Sequence, residues 1–111
     1  MHYIELVDGT RSTAWSVSEW FLGEYLHDKS VSITIEEKDL SEEGVDGWCM
    51  RETHNEFLIQ IDNNIEDSYT YKRVLLHELH HMWQYYHNKP RDEEETLRQE
   101  WYLLNKYHQN E

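Results

Sequence analysis

The chain has 111 residues and a formal net charge of −13, with hydrophobic residues at 38% and aromatics at 14%. That length suits one domain with a single core, and the five Trp and eight Tyr supply enough apolar surface to build it. The acidic balance argues against phosphate-backbone binding, and the absence of a run of about 18 apolar residues argues against a membrane span. Met1 to Asp8 lacks a basic start and an apolar signal core, and the lone Cys49 offers no internal disulfide. The expected location is therefore cytoplasmic, with no nucleic-acid or membrane partner.

In chain order, His2 to Val7 is a candidate strand. Ser16 and Glu19 have the spacing of a capping box, with Trp15 and Trp20 placed as a hydrophobic staple, which predicts a helix from Ser16 to about Leu26. Val31, Ile33 and Ile35 alternate with polar residues, and Phe57, Ile59 and Ile61 repeat that period of a half-buried strand. Between them, Gly44 to Gly47 reads as a turn before a shorter strand near Trp48 to Arg51. Asp67 or Ser68 caps a long helix to about His87, with Leu75, Leu79, Met82 and Tyr86 as its apolar stripe. Asn88 to Arg91, around the only proline, breaks it. A last helix, about Asp92 to Tyr107, is expected to turn Leu97, Trp101 and Leu104 inward, and its early acids suit the positive helix end. The expected class is α+β, one domain over 1–111.

The chemistry is concentrated in His77-Glu78-Leu79-His80-His81. Two histidines four apart on a helix of about 3.6 residues per turn project from one face and can share a metal. Two neutral imidazoles and a third protein ligand leave a position open for water, whose pKa zinc lowers towards about 7. Glu78 stands where it can take that proton, as general base and later general acid. Zinc is thus the expected cofactor, His77 and His81 two of its ligands, and Glu78 the catalytic residue. His80 turns away from the ligand face and is expected at the surface.

These residues resemble the HExxH zinc peptidases called gluzincins, in particular their minimal single-domain forms, the minigluzincins. The resemblance implies a zincin-like fold in which a following glutamate helix supplies the third ligand. Glu93 has the best phase with Leu97, one turn before it, while Glu94, Glu100, His87 and Cys49 remain alternatives. Glu93-Glu94-Glu95-Thr96 is similar to the ExEA pattern of such helices, with Thr96 in the alanine place. His87 fits the third histidine of a metzincin pattern, but Gln84 stands where its glycine belongs and no Met-turn follows. Cys49 precedes the motif as the cysteine of peptide deformylases does. Tyr85, Tyr102, Tyr107 and His108 are oxyanion candidates for which packing is the plainer role.

The implied activity is hydrolysis of an extended peptide or unfolded protein, paired with an exposed edge strand at Phe57 to Ile61. Two other readings stay open: a zinc hydrolase of a non-peptide amide, and a non-catalytic binding or regulatory domain with at most a structural metal. A C-terminal tail, Lys106 to Glu111, folded over the cleft would make such an enzyme latent.

Overall fold

The computed structural model describes all residues, Met1–Glu111. It is an α+β fold of β1 (His2–Leu6), α1 (Thr13–Tyr25), β2 (Val31–Lys38), β3 (Gly47–Thr53), β4 (Glu56–Asp62), α2 (Ser68–Tyr86) and α3 (Glu93–Gln109). The strands form one mixed sheet in the order β1-β2-β4-β3. β1 and β4 both run parallel to β2, and β3 runs antiparallel to β4. A parallel pair needs a crossover, which α1 provides between β1 and β2.

Alternation along the strands places the core. Val31, Ile33, Ile35, Phe57, Ile59 and Ile61 are all buried, and α1 and α2 cover that face with Val17, Phe21, Leu22, Leu75, Leu76, Leu79 and Met82. α2 runs beside β3, whose inward row is Gly47, Cys49 and Arg51 opposite Ile61, Ile59 and Phe57. α3 lies outside this sandwich and packs chiefly on α2, with Tyr107 reaching Trp20 of α1. No helix is long and apolar enough to cross a membrane.

Three expectations are corrected. The strand at Phe57 to Ile61 is internal, because β3 and β2 flank it, so the free edges belong to β1 and β3. α1 begins at Thr13 after Ser12, leaving Ser16 within the helix, so no capping box forms there, and Trp15 is half exposed. On α3 the buried residues are Thr96, Glu100, Leu103, Leu104 and Tyr107, whereas Leu97 and Trp101 are 51% and 52% exposed. With α2 as almost its only wall, α3 buries one narrow stripe, and Leu97 and Trp101 fall on its flank. The tail from Lys106 continues α3, and Glu111 meets Lys72 at 3.4 Å, so no residue of the tail lines the cleft.

Candidate metal centre

The local sequence fixes the hairpin that carries the site. Asp67 caps α2 by accepting from the Thr70 amide at 2.8 Å. At the other end Asn88 takes a left-handed φ of 54°, and the amides of Asn88 and Lys89 donate to the carbonyls of Tyr85 and Gln84. This is the Schellman closure, which reverses the chain in few residues. Arg51 of β3 clamps it, donating to Tyr85 O at 2.8 Å and Asn88 Oδ1 at 3.0 Å. Asp92 then caps α3 by accepting from the Glu95 amide. Gln84 ties the two helices by accepting from the Asp92 amide at 3.3 Å and donating to the Asp92 carbonyl at 3.2 Å.

Glu93, the first residue of α3, is thereby set against α2. Its Oε1 lies 2.6 Å from His77 Nε2, and its Oε2 lies 3.2 Å from His81 Nε2. The ligand atoms of His77, His81 and Glu93 all lie within 4.8 Å of one another, a grouping that could hold a metal ion. The other ring nitrogens are engaged: His77 Nδ1 with Glu100 Oε2 at 2.6 Å, and His81 Nδ1 with Gln84 Oε1 at 3.0 Å. Such partners fix the tautomer and aim the remaining nitrogen at a cation. Burial holds the His81 pKa below its ordinary value, which favours the neutral imidazole a metal needs. Burial would raise Glu93, but the neighbouring His77, His81 and Arg91 outweigh it and hold the carboxyl below its ordinary value. The donor set therefore fits a divalent cation with nitrogen and oxygen preference.

Glu78 is 3% exposed, and its Oε1 has no hydrogen-bond partner. Burial raises its pKa to about 7, against the lowering by His77 and Arg91. It lines a cleft of about 350 Å³ together with His77, Glu93, Arg91, Arg73, Gly47 and Leu97. Gly47 makes this possible. A Cβ there would stand 2.9 Å from Gln60 O, 3.1 Å from Val74 Cγ1 and 3.3 Å from Glu78 Cγ, so β3 approaches α2 beside Glu78 only without a side chain.

The structure brings together His77, Glu78, His81 and Glu93, and separates the alternatives. Glu94 points outward, pairing with Arg98 at 3.2 Å. His87 is the C-cap of α2 and packs against Trp83 and Tyr86. Cys49 faces α2 on β3 but lies outside the cluster, and burial, aided by the Glu78 carboxylate, pushes its thiol up and keeps it protonated. Glu100 orients His77 while Arg73 holds its other oxygen at 3.1 Å. Tyr107 is core, and Tyr102 lines a separate pocket beside His80. His80, expected at the surface, is buried at 7% exposure and meets Thr96 Oγ1 at 2.8 Å and Glu95 at 3.4 Å.

Sequence reasoning missed Gln84, Thr96 and Arg91. Gln84 and Thr96 each lie three residues beyond a member of the cluster, on the same helix face, which is the spacing at which a polar side chain supports its neighbour. Arg91 Nη2 sits 3.2 Å from Glu93 Oε2 and 3.5 Å from His81 Nε2, a placement that depends on the turn at Asn88. Comparison with protein-family models, curated proteins and solved structures finds no match.

Proposed function

We propose that this protein is a zinc-dependent hydrolase, most fittingly a peptidase of the gluzincin kind in minigluzincin-like form. One observation carries the reading. The Nε2 atoms of both motif histidines converge on the Glu93 carboxylate, with each Nδ1 braced from behind, while the buried Glu78 carboxyl lining the same cleft keeps an oxygen unbonded. Zinc held by His77, His81 and Glu93 would supply a Lewis acid that acidifies water and polarises a carbonyl.

The chain's own residues supply the remaining roles. Glu78 takes a proton from the attacking water on its free Oε1 and returns it to the leaving amine. Glu100 and Gln84 hold the imidazoles in register. The free edge of β3 flanks the cleft at Gly47, so an extended peptide adding to that edge would present its backbone to Glu78. A closed structural zinc site needs four protein ligands. Three converge here, one of them, Glu93, with a half-exposed side chain beside an open cleft, which favours the catalytic reading over the structural one.

Glu78→Gln tests it. The variant should keep about one zinc per chain, as metal analysis of untagged protein reads it, while chelator-sensitive cleavage of casein falls on the order of 10²–10⁴-fold. Full cleavage by a zinc-loaded Glu78→Gln preparation refutes the mechanism, and wild-type protein that binds zinc without cleaving refutes the peptidase.

A further inference from the structure

An apolar stripe on α3 begins inside the cleft and runs out of it uncovered. Leu97 forms part of the cleft wall with His77 and Glu78. Trp101 follows one turn later, with the Arg73 guanidinium 5.8 Å from its ring, and Tyr69 of α2 lies 6.3 Å beyond Trp101. Leu97, Trp101 and Tyr69 are 51%, 52% and 50% exposed. Arg73 also lines the cleft and is paired with Glu100, so the wall between cleft and stripe is charge-neutral. Two half-exposed aromatics and a leucine present about 300 Å² of apolar surface, the size at which a patch on a monomer is often functional.

We propose that Leu97, Trp101 and Tyr69 form an anchoring subsite for a large apolar side chain of an extended polypeptide whose neighbouring backbone lies in the cleft. The proposal rests on the peptidase reading for what the cleft holds, but anchoring itself requires no chemistry. Three features select this occupant. The patch alone is far below the ~800 Å² per partner of a standard interface, so it does not by itself supply the area of a stable second copy. Two copies at −13 each also repel, whereas a segment with lysine or arginine beside its apolar residue is attracted. One extended strand offers one or two side chains at a time, which matches about 300 Å². The rings meet their neighbours already, so little side-chain freedom is lost on binding.

Fluorescence anisotropy on the Glu78→Gln background tests this without cleavage. The probes are a labelled unstructured peptide with a Lys-Phe-Leu centre and the same peptide with Lys-Ser-Ser. The first should bind on the order of tenfold tighter than the second, and Trp101→Ser or Leu97→Ser should remove that advantage. The preference should survive chelator, because the subsite holds no metal ligand. Equal binding of the two peptides, or an undiminished preference in both variants with circular dichroism unchanged, overturns the proposal. A dimer in sedimentation that Trp101→Ser dissolves overturns it in favour of a second copy. Failure of the hydrolase reading would appear in zinc content and casein cleavage, which these binding ratios do not measure.

Discussion

Helices α2 and α3 lie side by side, yet their buried faces differ in kind. α2 buries Val74, Leu75, Leu76, Leu79 and Met82, and its histidines interrupt an otherwise apolar surface. α3 turns Glu93, Thr96 and Glu100 towards those histidines and keeps its buried leucines, Leu103 and Leu104, for the far end. The first helix holds the fold together and the second completes the candidate site. Stability and metal retention should therefore separate by helix when each is mutated.

The largest effect is expected from α2. Leu79→Ala removes a fully buried side chain from the middle of the core and should cost about 2–5 kcal/mol, read by urea denaturation. An effect below that range would mean that α2 is less central than its packing implies.

On α3, Glu100→Gln should leave the fold in place, by circular dichroism, while zinc affinity falls about 10–100-fold in a competition titration, because His77 loses the carboxylate that aims it. Glu94→Gln, on the outer face, should change neither quantity measurably. Equal losses in the two variants would show that charge alone, not orientation, holds the cation.

A fourth variant sharpens the contrast at the opposite end of α2, away from the candidate metal centre. Glu37 accepts from Arg11 Nε at 3.0 Å and from the Arg11 amide at 2.9 Å, and the guanidinium covers the Tyr71 ring at 4.0 Å. Burial would raise the Glu37 carboxyl, but these bonds and the Arg11 charge hold it below the usual range. A depressed carboxyl adds stability that is complete above its unfolded value of about 4.3 and is lost as pH falls through the folded one. Glu37→Gln should cost about 2 kcal/mol at pH 7 and progressively less in acid, with zinc content unchanged. A cost independent of pH would refute the ionised pairing.

Much of this contrast was legible in the sequence. The strands at Val31 and Phe57 and the stripe Leu75, Leu79 and Met82 follow from periodicity, since one face of each meets an extensive core. The i, i+4 histidines follow from spacing, whereas phase with Leu97 points to Glu93 from the wrong face, since the working face is Glu93, Thr96, Glu100, Leu103 and Tyr107. Periodicity marks the apolar side of a helix as the inner side, a rule that fails where the inner side faces imidazoles. The edge position of β3 was not legible either. Pairing order depends on contacts between distant segments, and β3 lacks the inward bulk that marks β4, because Gly47 makes room for Glu78.

The thin attachment of α3 has a consequence for motion. Because it rests chiefly on α2, its amide hydrogens should exchange ahead of those of the sheet, as they do in segments with few contacts to the core. An ion held by His77 and His81 of one helix and Glu93 of the other would tie the two together, and its free concentration would then add to the stability of that joint.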